Sequence, residues 1–399
     1  MNAGVRATVV TSAPGGEPLG LVCVDSTVNG RARGGLRLLP DVTLHELELL
    51  ARAMTLKYGF LGLPQGGAKA GVFGDPDGPP HERAACLRRF AEAAAPLLRS
   101  RAYVPDSDMG TTGAEIQAML EAVNIRVARR EYRGSRSGLY TAATVFASAR
   151  AAAAATGLAL PGCRVAIEGF GRVGQPLARM FARAGANVVA IATRQGGVHN
   201  PRGLDVEAVA DRIRAGGEGA VAAAGLGDPI GATDAKLVPS DVLCPCARHE
   251  SITLADAGAI EARVISCGAN SPITPDAEGR LWERGILCVP DFVANAGGVL
   301  GGTMEFAGWR TGEILDFCDQ RFRPRVAALF EEARHAGTPM RDAAEAFAMK
   351  RFADVKRLAE QPSWRRGGTQ AALAAYRQGW LPGRLVRRLS SGYFNGRVG

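Results

Sequence analysis

Residues 164–174 read Arg-Val-Ala-Ile-Glu-Gly-Phe-Gly-Arg-Val-Gly, a short apolar strand running straight into Gly169-Phe170-Gly171-Arg172-Val173-Gly174. No other stretch of the chain restricts its fold so tightly. Glycines at G-x-G-x-x-G spacing between a strand and a helix serve one geometry. The first allows a tight turn, the second admits a pyrophosphate, and the third lets helix and strand pack closely. Backbone N–H groups at the helix start then face the phosphates. The pattern predicts a helix over 172–184 closed by Gly185, and a strand over 188–192. Further short strands fit 241–244, 263–267 and 286–289. Such alternation predicts a parallel, doubly wound sheet. Gly169, Gly171, Val173 and Gly174 are expected to line the cofactor site.

The end of the second strand bears on the cofactor. An NAD site places a carboxylate there for the ribose 2′-hydroxyl. This chain has Ile191-Ala192-Thr193-Arg194-Gln195-Gly196, with an arginine and no acid. Thr193 and Arg194 suit a 2′-phosphate, so NADP is expected in preference to NAD.

A length of 399 residues suits two domains. The chain is expected to divide near residue 135, where RREYRGSRSG is polar and contains glycine. Before it, 43–58 repeats apolar residues at helical spacing behind Thr43 and is expected to end by Gly59. Residues 81–100 form a second predicted helix and 19–26 a strand. Residues 313–360 read as helical throughout. The expected organisation is a substrate-binding and oligomerisation domain over 1–135 and a dinucleotide-binding domain over 136–312. Helices over 313–360 would pack back toward the first domain, and 361–399 would be a basic extension.

The N-terminus lacks a long apolar run, and the Ala-rich stretch 142–160 holds Arg150. Neither a signal peptide nor a membrane span is expected, and the cytoplasm is the expected location. The eight cysteines form no CxxC pair and no histidine stands near them at ligand spacing, so neither disulfides nor a metal is expected. The net charge of +9 is largely a property of the tail: 361–399 holds seven arginines and no acid. Arg384-Leu385-Val386-Arg387-Arg388 offers charge to an acidic partner, but no nucleic-acid-binding fold accompanies it.

Only five lysines stand among 43 arginines, and two of them, Lys57 and Lys69, lie twelve residues apart. Arginine stays charged at any working pH. Lysine can lose its proton when desolvated beside another cation, and then act as acid or base. Lys69 also sits in Gly66-Gly67-Ala68-Lys69-Ala70-Gly71, a glycine nest where a ligand could approach the backbone.

With these lysines ahead of a dinucleotide fold, the chain resembles the Glu/Leu/Phe/Val dehydrogenase family from about Asp25 to Leu358. GGLRLLPDVT (34–43) is similar to the family's first signature, LPQGGAKAGV (63–72) to its lysine loop, and VPDSDMGT (104–111) to the segment bearing its catalytic aspartate. EGFGRVG (168–174), CGANSPITPDA (267–277) and VPDFVANAGGV (289–299) resemble its nucleotide turn and the loops near the nicotinamide. The resemblance implies two α/β domains with the active site in the cleft between them. It also implies reversible oxidative deamination of an L-amino acid to a 2-oxo acid and ammonia, and assembly as a hexamer or octamer of one chain. Lys69 would be the catalytic lysine, lowered in pKa by Lys57 and by burial, with Asp108 handling the amine and its protons. Lys57 and Gly35 would lie at the substrate, Lys57 on its α-carboxylate. Asn295 would lie near substrate and nicotinamide, Thr141 and Asn270 on the cofactor, and Arg172 beside its pyrophosphate.

The chain departs from the family where the substrate side chain is met. Glutamate enzymes place a lysine before the first GG and a serine after ANAGGV; here Arg33 and Gly302 hold those positions. Leucine-type enzymes carry apolar residues there, which Arg33 is not. An acidic or polar substrate side chain is expected. The rival expectations are a silent nucleotide-binding homologue, which the intact lysine-lysine-aspartate set opposes, and a hydroxy-acid or imine reductase. The hydroxy-acid enzyme would want a catalytic histidine with an orienting acid, and none of the five histidines has that setting.

Overall fold

The computed structural model describes residues 6–12, 15–128, 136–222, 225–361 and 372–398. The chain forms two compact units, each discontinuous in sequence. One comprises Met1–Ser135, Phe306–Trp309 and Phe347–Tyr393; the other comprises Arg136–Glu305, Arg310–Ala346 and Phe394–Gly399. The paired arginines at 365–366 and most of the expected hinge at 129–138 lie outside the described residues.

The first unit is built on five strands: β1 (Arg6–Thr11), β2 (Pro18–Val24), β3 (Ala32–Leu38), β4 (Gly66–Val72) and β5 (Val104–Ser107), in the order β1-β2-β4-β3-β5. β2 runs antiparallel to β4, and β3 runs parallel to both β4 and β5. Leu36, Leu38, Val72, Phe90, Tyr103 and Ile116 fill the core. The expected glycine nest is strand β4, buried along its whole length. A Cβ on Gly67 would stand 2.3 Å from Thr55 N, and one on Gly71 2.4 Å from Val42 Cγ1. These glycines let neighbouring segments close onto the strand rather than opening the backbone to a ligand, which corrects the sequence expectation.

Thr43 caps the helix Leu44–Leu61 by accepting from Glu46 N, and Gly62 ends it at φ 63°. The helix passes through Gly59, where it was expected to stop. A Cβ there would lie 2.2 Å from the Ala348 carbonyl oxygen, so the missing side chain serves close packing against Met340–Glu360. Pro96 helps divide the expected helix over 81–100 into Pro80–Ala93 and Ala95–Arg99.

The second unit holds seven strands: β6 (Arg164–Glu168), β7 (Asn187–Thr193), β8 (Gly196–His199), β9 (Asp228–Ile230), β10 (Val242–Pro245), β11 (Val264–Ser266) and β12 (Leu287–Val289). Their order is β12-β11-β10-β6-β7-β8-β9. β6, β7, β10, β11 and β12 are mutually parallel, as the alternation predicts. β8 and β9 extend the edge in antiparallel fashion. They are four and three residues long, β8 begins on Gly196-Gly197 and β9 holds Pro229, so neither announces itself in sequence. Strand order reverses between β6 and β10, the switch point where open α/β sheets bind ligands. The region 313–360 is not one continuous helical run. A π turn at Cys318–Phe322 interrupts it, and Gly337, at φ 62°, ends the helix Arg323–Ala336. Among the described residues no helix is long and apolar enough to cross a membrane.

Candidate active site and nucleotide turn

Lys69 sits in the middle of β4, opposite Cys23 of β2. Asp108 follows β5 in a turn tied to β3: the Thr111 hydroxyl donates to the Leu36 carbonyl at 2.8 Å and accepts from Asp108 N at 2.9 Å. Gly35 makes room for it, since a Cβ there would lie 2.8 Å from Asp108 Cβ. The result is a contact of 2.5 Å between Lys69 Nζ and Asp108 Oδ2. Arg37 Nε donates to the same oxygen at 2.8 Å, and the far side of its guanidinium pairs with Glu46. Lys69, Arg37 and Glu46 are all buried, while Asp108 keeps 20% of its side chain exposed. Two cations and two anions thus balance inside the unit, which such burial requires.

These neighbours set the titration of the pair. Burial pushes the Lys69 ammonium below the ordinary lysine value; Asp108 opposes that shift and Arg37 adds to it. Burial would raise the Asp108 carboxyl, but the Lys69 and Arg37 cations outweigh it and hold it well below the usual carboxylate range. Arg37 is thus one cation that adds to the lowering of Lys69, a role the sequence reading gave to Lys57. Arg37 and Glu46 went unremarked in the sequence, although Arg37 is the arginine of the GGLR signature.

Lys57 lies buried on the helix Leu44–Leu61. Arg33 and Asp106 form a separate, half-exposed pair at 3.0 Å. Asp106 thus pairs with Arg33 from within β5, while Asp108, beyond the strand end in the turn that follows, reaches Lys69. Beside Arg33, burial pushes the Tyr58 phenol up; Arg33 opposes this and Asp106 reinforces it.

In the second unit the glycine turn leaves β6 at the switch point. Gly169 has φ +93°, and a Cβ on Gly174 would stand 1.9 Å from the Gly169 carbonyl oxygen, so both positions need glycine. A Cβ on Gly171 would meet nothing within 4 Å, which leaves that side of the turn open. Val173 precedes the helix Gly174–Arg183, and the Arg172 carbonyl oxygen lies 2.4 Å from where a Cβ on Gly138 would stand. At the end of β7, the Thr193 hydroxyl lies 3.0 Å from the Gly196 carbonyl and 3.2 Å from that of Glu218, and accepts from Gln195 N. Arg194 Nε lies 3.1 Å from Glu218 Oε2. An acid is therefore present at this strand end. It comes from 24 residues further along the chain, where scanning the strand cannot find it.

Asn295 Nδ2 donates to the Ala269 carbonyl at 2.8 Å and to Asn270 Oδ1 at 3.1 Å, while its own Oδ1 is buried without a partner. A buried amide oxygen in that state calls for a donor, and a nicotinamide carboxamide has one. The open turn and this oxygen both fit a dinucleotide. Asp291 holds the neighbouring loop by accepting from Ser271 N at 3.0 Å and from Arg341 at 3.1 Å. Thr141 lies on Ser137–Ala155 with its hydroxyl 3.0 Å from where a Cβ on Gly298 would stand. Gly302 is half-buried in Gly297–Phe306. Among the described residues no histidine, cysteine or acid cluster could hold a metal.

A doubly wound dinucleotide domain joined to a second α/β unit with a buried lysine–carboxylate centre is the architecture of an amino-acid dehydrogenase. The chain belongs to the Glu/Leu/Phe/Val dehydrogenase family. Residues 136–359 match the model for glutamate/leucine/phenylalanine/valine dehydrogenase, and 19–124 match the model for its dimerisation domain. A glutamate dehydrogenase of Aeropyrum pernix is 34% identical over 71% of this chain and 72% of its own. An NADP(+)-dependent glutamate dehydrogenase of Pyrobaculum calidifontis is 32% identical over 81% and 82%. Among solved structures, the hetero-hexameric glutamate dehydrogenase of Thermus thermophilus in its leucine-bound form aligns over 91% of both chains with a TM-score of 0.75 and 27% identity.

Proposed function

We propose that the protein is an L-amino-acid dehydrogenase that reversibly deaminates glutamate or a related polar amino acid to a 2-oxo acid and ammonia, with NADP preferred to NAD. The observation that carries this reading is the 2.5 Å contact between a buried lysine, pushed toward its neutral form, and an aspartate held ionised. The bound dinucleotide supplies the acceptor for the hydride that leaves the substrate α-carbon. The protein must then activate water to attack the resulting iminium carbon. Lys69 in its neutral form takes a proton from that water and steadies the developing oxygen. Asp108 takes up protons from the substrate amine and holds the departing ammonia. Lys57 pairs with the substrate α-carboxylate, with Gly35 leaving space beside it, and Asn295 and Gly302 border the substrate. Thr141, Asn270 and the glycine turn hold the dinucleotide, with Arg194 at the end of β7 supporting the choice of NADP.

Arg33 bears on which amino acid is used. Its pairing with Asp106 means a distal carboxylate must compete for the guanidinium, whereas a polar uncharged side chain can bond to both groups. The Thermus thermophilus relative is hetero-hexameric by its description, which supports an oligomer here; that it is built from one kind of chain follows from the family resemblance alone.

The test is reduction of NADP+ and of NAD+ at alkaline pH against the twenty amino acids, read by the absorbance of the reduced nicotinamide. Turnover of one or a few polar amino acids is expected. Tight dinucleotide binding with no turnover of any of them would replace this reading with a silent homologue. Lys69→Arg is expected to abolish turnover while leaving dinucleotide binding unchanged, because arginine does not give up its proton.

A further inference from the structure

We propose that Glu218 supplies the carboxylate that the end of β7 lacks, and that the Arg194–Glu218 pair sets which dinucleotide the protein holds. The inference rests on the dinucleotide reading above and deepens it. When the pair is closed, Glu218 accepts a hydrogen bond from an unmodified ribose 2′-hydroxyl. When Arg194 turns to a 2′-phosphate, the pair opens and Glu218 is left as a repelling neighbour.

Four observations place Glu218 there. Its carboxylate lies 3.1 Å from the guanidinium of the residue that follows β7. Its backbone carbonyl lies 3.2 Å from the hydroxyl of Thr193, the last residue of β7, so the short helical turn Glu218–Ala222 is pinned to the strand end. A Cβ on Gly219 would stand 2.9 Å from Gln195 Oε1, so the same turn closes tightly on the loop after Arg194. Arg194 keeps 73% of its side chain exposed and Glu218 38%, so the pair is accessible and weakly held.

Charge then decides between the two ligands. An exposed arginine–glutamate pair is worth little, so a phosphate dianion can displace the carboxylate from Arg194 by charge-assisted bonds. The displaced Glu218 opposes the phosphate across a short distance, which moderates NADP binding without abolishing it. The ribose hydroxyl of NAD meets no repulsion and finds the carboxylate that other NAD sites place on the strand itself. The thermodynamic result is a site that takes both dinucleotides, with the ratio governed by one glutamate. High ionic strength should flatten the ratio, since both groups face solvent.

The experiment is titration of the full-length protein with NADPH and with NADH, read by nicotinamide fluorescence without any amino acid present. 2′,5′-ADP and ADP serve as competitors that report the 2′-phosphate alone. Glu218→Gln is expected to raise the preference for NADPH over NADH, and for 2′,5′-ADP over ADP, by about five- to tenfold. Arg194→Gln is expected to move both ratios the opposite way, and Glu218→Asp to restore the wild-type ratio in part. Ratios in Glu218→Gln equal to those of the wild type would overturn the assignment while leaving the dinucleotide reading intact. Failure of the wild-type protein to bind either dinucleotide would sink that reading instead, and this one with it.

Discussion

Asp108 carries two cations on one carboxylate oxygen, and that crowding fixes how the site should respond to pH. In the proposed mechanism Lys69 works as a neutral amine, and burial pushes its pKa below the ordinary lysine value. Deamination should therefore rise with pH as Lys69 deprotonates. Arg37→Gln removes a nearby positive charge, so Lys69 should hold its proton to higher pH and the rising limb of the pH–rate profile should move to more alkaline values. The same change loosens Asp108, and we expect kcat/KM to fall about a hundredfold. Arg37→Lys keeps the charge and should leave the limb near its wild-type position. An unmoved limb in Arg37→Gln would show that Arg37 does not act on Lys69. Lys69 and Asp108 were legible in the sequence because each lies in a motif of distinctive residues. Arg37 and Glu46 were not: Arg37 meets Asp108 through β3 lying beside β5 with Gly35 opposite Asp106, and Glu46 reaches Arg37 from the helix that follows β3.

Strand β4 is the element on which the lysine's position depends. It has no side chain at three of its seven positions, and the helix bearing Lys57 closes onto it at one of them. Gly67→Ala would push a methyl group to within 2.4 Å of the Thr55 hydroxyl and 2.3 Å of its backbone nitrogen. We expect a loss of about 1–3 kcal/mol in stability, read by chemical denaturation. Turnover should fall further than the lost stability accounts for, because the strand and the helix each carry a site lysine. Gly35→Ala should differ. Its methyl group would meet Asp108 Cβ at 2.8 Å rather than a backbone atom at 2.3 Å, so it should cost less stability than Gly67→Ala while kcat drops. Equal losses of stability in the two variants would undo this distinction. The glycines were visible in the sequence, but their purpose was not. A run of small residues looks the same whether a ligand or a helix comes close to it.

At the scale of the whole molecule, the sequence announced the parallel sheet through its strand–turn–helix rhythm, which is local. Helices over 313–360 were expected to pack back toward the first domain, but which residues would meet was not legible, because those contacts span about 300 positions. Arg351 donates to the Phe60 carbonyl at 3.1 Å, Asn29 N donates to Glu360, and Lys356 reaches the Thr27 carbonyl. A chain ending at residue 346 loses all of these. It should melt at a clearly lower temperature by calorimetry and lose Lys69-dependent turnover, although every site residue remains. A chain ending at 361 should keep the first unit's partners, and a comparable loss of stability there would shift the credit to the tail.

That recruitment has a consequence for synthesis on the ribosome. Gly59 and Phe60 pack against a segment translated almost 300 residues after them. Until that segment emerges, the apolar face of the lysine-bearing helix has no native cover. The first unit to be translated is therefore among the last to complete its packing, and until then the nascent chain carries an apolar surface open to misassociation.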